Sequence, residues 1–171
     1  MTQLPLEPDQ DRSEVKQRYG FADWPGRAGR AAAGLYLPDH ALLAGLPFDR
    51  RVPFSGTGRA FIDLLAGPDG ARVALWIQHY DTILDAHEGL VDVLATSMAP
   101  RLPDGADRGL GEIGDVAFGG MTEPVTAVFF VRGNVLVRAE SIGERPIAIA
   151  AVAAEIDRQI RAQIETGPIE G

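Results

Sequence analysis

Apolar residues recur with two different periods along this chain. Over 59–80 and 115–141 they alternate with polar residues or gather in short β-favouring blocks; over 84–98 and 149–164 they return every three or four positions. A period of two marks a strand and a period near 3.6 an amphipathic helix. RAFIDLL (59–65) and ARVALWIQHY (71–80) flank Pro68-Asp69-Gly70, which offers fixed φ, an Asx acceptor and a residue tolerant of positive φ, so a hairpin is predicted there. A short helix over 58–66 competes, since Phe61, Leu64 and Leu65 also suit helical spacing; the strand is preferred. Leu84, His87, Leu90, Val91, Leu94, Ala95 and Met98 predict a helix, opened by a capping box from Asp85 to Glu88 and closed by Pro100. DVAF (115–118) predicts a short strand. TAVFFVRGNVLVRAES (126–141) then predicts a hairpin turning on Gly133-Asn134, two residues that enter positive φ at low cost. A last helix is expected over about 147–165, its stripe formed by Ile149, Val152, Ile156, Ile160 and Ile164, with Gly167-Pro168 as the stop.

These elements predict an α+β fold in a single domain over 1–171: an antiparallel sheet of about five strands with two main amphipathic helices on one face. Within it, 59–99 forms a hairpin–helix unit and 111–165 a strand–hairpin–helix unit, which together suggest a weak internal repeat. Seven of the twelve prolines fall in 1–68, so 1–58 reads as a loop-rich segment packing on the sheet, with a short helix in DRSEVKQRY. The main hairpin is apolar on both sides: Val128, Phe130, Val137 and Ala139 share one face, and Phe129, Val131 and Leu136 the other. A sheet with helices on one face ordinarily shows a wet second face. Three covers are therefore weighed for that face: the loop-rich first third, a partner subunit (self-association into a homodimer, or another protein), or a ligand.

Composition narrows the function classes. Hydrophobic residues make up 46 % and charged residues 23 %, an ordinary globular balance. The net charge of −8 argues against a nucleic-acid partner, whose phosphates are neutralised by Lys and Arg. There is no cysteine, so disulfides, thiolate metal sites and cysteine nucleophiles are excluded. No stretch reaches the length of a membrane span, and the first dozen residues have neither the basic start nor the apolar core of a leader. No cofactor fingerprint is present, and no cofactor is expected.

One stretch concentrates candidate chemistry. His79, Asp81, Asp85 and His87 lie within HYDTILDAH, and imidazole with carboxylate suits Zn²⁺, Mn²⁺ or Fe²⁺. Each also has a plainer job: Asp85 as helix cap, Asp81 at the turn, His87 on the apolar stripe, and His79 in phase with Val73, Leu75 and Ile77. SGTGR (55–59), with Arg50 and Arg51 nearby, lacks the spacing of a phosphate loop and reads as a turn. Trp24, Tyr36, Phe48 and Phe54 are expected to anchor the first third on the sheet rather than to form a ligand cage.

GEIGDVAF, FFVRGNVLVRAES and IAAVAAEIDRQI carry a resemblance. Residues 111–160 resemble domains of uncharacterised bacterial exported proteins and lipoproteins, with a GD-x-A-F strand, an R-x-G-N-like hairpin and a closing I-A-x-x-I-D helix. The resemblance implies an exported α+β domain, periplasmic or extracellular, with no assigned activity; without a leader, a cytoplasmic protein is the alternative. The expected function is a non-enzymatic binding or assembly domain. The rival is a small metal-dependent enzyme or metal-binding protein using His79, Asp81, Asp85 and His87.

Overall fold

The computed structural model of the protein describes residues 8–43, 45–54, 59–97 and 101–166. Among these the sheet has six strands: β1 (Phe48–Pro53), β2 (Ala60–Ala66), β3 (Arg72–His79), β4 (Val116–Gly119), β5 (Ala127–Arg132) and β6 (Val135–Ser141). Their spatial order is β1-β2-β3-β6-β5-β4, antiparallel throughout. The helices are α1 (Pro8–Tyr19), α2 (Ile83–Ala95) and α3 (Ala150–Thr166). Residues 60–66 are strand, as preferred over the helical alternative, because Phe61, Asp63 and Leu65 bury on one side of the pleat. The turn before β3 is tight, with Asp69 and Gly70 both at positive φ.

The sixth strand is β1, which lies in the segment read as loop-rich. FDRRVP carries no alternation because all six of its residues are exposed. It is an edge strand, and its two arginines, its register shift after Phe48 and Pro53 are features that keep such an edge from pairing further. The cap of α2 also differs from expectation. The helix begins at Ile83, and Thr82, not Asp85, is the N-cap: its hydroxyl accepts from the Asp85 N–H at 3.0 Å. Leu84 is consequently exposed, while Ala86, Leu90, Val91 and Leu94 are buried. Met98, Pro100, Gly167 and Pro168 lie outside the described residues, as do Ser55 to Gly58.

The largest correction concerns the layers. The two main helices do not share a face. Val128 and Phe130 of β5, Val135 and Val137 of β6 and Leu75 and Ile77 of β3 pack on Val152, Ile156 and Ile160 of α3 and on Ile149 just before it, with Ala32, Tyr36, Leu43 and Leu46 completing that side. On the other side, Phe129, Val131, Leu136, Val116 and Phe118 pack on Leu90, Val91 and Leu94 of α2 and on Val15, Tyr19 and Trp24. Alternating side chains of one hairpin thus feed two separate cores, and neither a partner nor a ligand is needed to cover it. The element order does recur. The antiparallel β3–β6 pairing would demand a twofold axis normal to the sheet, which keeps both helices on one face. They lie on opposite faces, so the recurrence is one of order and not of symmetry.

The Gly133-Asn134 turn forms as expected, with Arg132 opposite Val135 and Phe130 opposite Val137. It also serves as an anchor. The Asn134 side chain accepts from the Ala32 N–H and donates to the Tyr80 carbonyl, both at 2.8 Å. The Gly133 N–H donates to Asp115 Oδ2 at 2.7 Å. Arg132 grips Asp157 with two bonds, at 2.8 and 3.0 Å, and reaches Asp115 with a third. The hairpin therefore ties the first third, the end of β3 and α3 to one point.

Candidate functional site

α2 lies over β5 and β6 and leaves the β1–β3 half of the same face uncovered by a helix. One row of paired residues runs straight across that face: Val52, Ile62, Trp76, Arg138, Phe129 and Phe118. At its far end Phe118 is buried in the α2 core; at its near end Val52 is exposed. Between them, where α2 rises off the sheet, lies a recess of about 310 Å³. Trp76, Gln78, Leu136 and Arg138 form its floor, and Gly89 and Val93 of α2, with Thr96 at the end of that helix, one wall. Phe54 and Tyr80 stand at the rim.

The geometry follows from local sequence. Trp76 and Gln78 alternate with Leu75, Ile77 and His79, so the pleat turns them away from the α3 core. Phe54 continues past β1, its N–H donating to the Ala60 carbonyl, and its ring meets the Trp76 ring edge-on at 5.4 Å. The Arg138 guanidinium lies over the Trp76 ring at 4.9 Å and near the Phe129 ring at 5.8 Å. Tyr80 crosses α2 at Gly89, where any Cβ would overlap its hydroxyl. Burial, with the Asp85 charge adding to it, holds the Tyr80 phenol above its ordinary pKa, so it is a neutral donor and acceptor at physiological pH.

Two polar groups stand out. Trp76 Nε1 and Arg138 Nε are buried atoms with no hydrogen-bond partner among the described residues. Both atoms are sealed from solvent, and a buried donor left unmade costs roughly 1–3 kcal/mol. Arg138 is otherwise charge-compensated, its Nη2 donating to Glu140 at 3.3 Å.

The residues of HYDTILDAH separate. His79, Asp81 and Asp85 line a shallow depression beside the recess, and His87 does not. His79 Nε2 accepts from the Tyr36 N–H at 2.5 Å, and Nδ1 faces the Arg59 carbonyl at 3.3 Å, so both ring nitrogens are engaged. Asp81 is exposed and paired with Arg59. His87 is buried in the α2 core, edge-on to Trp24 at 5.8 Å. Among the described residues no group of three or more His, Asp or Glu is placed to hold a metal ion. The four aromatics of the first third divide: Trp24 and Tyr36 are buried anchors, whereas Phe48 and Phe54 are exposed.

Two buried ionic clusters were not foreseen. Asp63 is fully buried and accepts from Arg51 at 2.6 and 2.8 Å and meets His40 Nε2 at 2.6 Å. Asp157 is buried beneath Arg132, with Arg161 at 3.4 Å. Both are closed onto protein partners and hold chain segments together. The recess floor was missed as well. Its only signal in the sequence was the phase of Trp76 and Gln78, since Arg138 becomes their neighbour through the non-local β3–β6 pairing.

Compared with known proteins, the chain matches no family model, no curated protein and no solved structure.

Proposed function

We propose that the protein is a non-enzymatic binding domain and that the recess between α2 and the β1–β3 half of the sheet is its site. The observation that carries this reading is the recess itself, about 310 Å³ and lined by Phe54, Phe61, Trp76, Tyr80 and Val93 with Gln78 and Arg138 among them. An apolar cavity with a few convergent polar groups is the usual form of a small-molecule site, and about 310 Å³ lies at the small end of that class. The resemblance of residues 111–160 to exported domains extends the proposal to a protein working outside the cytoplasm.

Ligand-observed NMR with a panel of small apolar fragments tests the reading. Val93 faces the cavity, so Val93→Phe fills it. Fragments should bind the parent and lose binding in a folded Val93→Phe variant. Binding that is indifferent to Val93→Phe, or a panel with no binders, contradicts the proposal.

A further inference from the structure

We infer that the recess and the open half-face beside it take an amphipathic helix of a partner protein, with one apolar side chain seated in the recess and acidic residues toward the other end. The inference rests on the recess being the binding site and names the partner it fits. On the α2 side of β1, β2 and β3, Val52, Ile62, Leu64 and Trp76 are exposed or half-buried, and among the described residues no helix packs over them. Three strands about 4.8 Å apart make a strip about 10 Å wide, the diameter of one helix. β2 has 7 residues, about 23 Å of strand, which about fifteen helical residues match. The recess, about 310 Å³ with Phe54 and Tyr80 at its rim, has room for one large apolar side chain, the usual anchor of a helix in a groove.

Charge fixes the sign of the partner. The chain carries a net charge of −8, yet this half-face is basic. Arg50 stands opposite Leu64 and Arg72 opposite Ala66, which puts both arginines on this side of the pleat, at the end away from the recess. Both are exposed, and neither enters an ion pair with a described residue. Glu140, which faces Ala74 on the same side, is held by Arg138 at 3.3 Å, and Asp92 on the recess wall is paired with Arg12. The charge left uncompensated is therefore that of two guanidiniums, and acidic side chains complement it. Trp76 on the recess floor and Arg72 lie on the same face of β3, about 13 Å apart along the strand. The acids of the partner should accordingly lie about nine helical residues from its anchor.

A displayed library of peptides about fifteen residues long, randomised on an alanine-based helical scaffold, is selected against the full chain, and enriched peptides are synthesised and titrated. Enriched sequences should carry Leu, Phe or Trp at helical spacing and Asp or Glu about nine residues from the anchor. Their binding should weaken at least about fivefold in the double variant Arg50→Glu/Arg72→Glu and should weaken with added salt. It should be lost in a folded Val93→Phe variant, whose recess is filled. Both arginines are exposed, so the double variant should keep the circular dichroism and melting of the parent. Enriched peptides without acids, or binding indifferent to the double variant, overturn the inference and leave the recess reading to its fragments. Peptide binding that survives Val93→Phe, or a selection that enriches nothing while fragments bind the recess, overturns it as well. If neither peptides nor fragments bind, both readings fall. Two other occupants would also overturn it. One is a second copy of the chain, seen in sedimentation as a dimer that the double variant disperses. The other is an anionic surface, seen as binding to phosphatidylglycerol vesicles in place of the peptides.

Discussion

His87 shows how a single residue can be placed well and still carry a liability. Its position on the helical stripe is legible from spacing, and the structure buries it against Trp24. What spacing does not reveal is that neither ring nitrogen finds a partner among the described residues. Burial pushes the imidazole below its ordinary value near 6.5, outweighing the opposite pull of Asp115. In the unfolded chain the ring takes a proton as pH falls below about 6.5, while the folded protein resists doing so. The contribution to stability is therefore fully present above that pH and is lost as pH falls toward the depressed folded value. His79 acts in the same direction, its pKa lowered chiefly by burial and its Nε2 needed unprotonated as an acceptor for Tyr36. His87→Leu should leave the melting temperature unchanged or higher at about pH 8 and raise it more at about pH 5.5, because an orphaned polar group is replaced by an apolar one of similar volume. Melting curves across that range decide it; a variant equally destabilised at both ends would show that His87 makes a bond in solution. Because both His79 nitrogens are engaged and His87 is sealed in the core, chelation with EDTA should not shift melting. A drop in melting temperature restored by Zn²⁺ or Mn²⁺ would revive the metal reading of His79, Asp81, Asp85 and His87.

At the scale of elements, the strands and helices of the second half were readable because local pattern and tertiary environment agree there. β5 and β6 register as their turn chemistry dictates, and α3 keeps the Ile149, Val152, Ile156 and Ile160 stripe intact. β1 was unreadable because an exposed edge strand has no buried side to impose alternation. The division of α2 and α3 between faces was unreadable for another reason: it depends on the path of each connection, and a stripe names a buried side without saying which side of the sheet it meets. The hairpin turn offers a test. Gly133 has φ of 58°, and a Cβ there would come within 2.6 Å of the Arg30 carbonyl, so strain and a close approach coincide. Gly133→Val should cost at least roughly 1–3 kcal/mol in denaturant unfolding. A midpoint equal to the parent's would show that the first third does not dock on the turn. The separate cores predict that Leu94→Ala and Ile156→Ala each cost roughly 2–5 kcal/mol, and that their effects add, because they share no core cluster. Clear non-additivity in the double variant would mean that the two cores act as one.

For the molecule as a whole, the sheet sits between two helical layers but is not covered evenly. The α3 side is closed from β2 to β4 by α3 and by Ala32, Tyr36, Leu43 and Leu46, whereas the α2 side is closed only over β4, β5 and β6. That asymmetry makes the recess, and the sequence could not display it, since its floor joins β3 to a strand some sixty residues further on. Among the described residues no helix is long and apolar enough to cross a membrane. The central claim is that this recess is where the protein binds. Amide chemical-shift mapping of the full chain with a saturating recess-binding fragment tests it most directly. Perturbed resonances should cluster at Trp76, Gln78, Gly89, Val93 and Arg138 and fade along β4 and α3. A perturbed set centred instead on residues 81–87 or 105–114, or none at all, would contradict it.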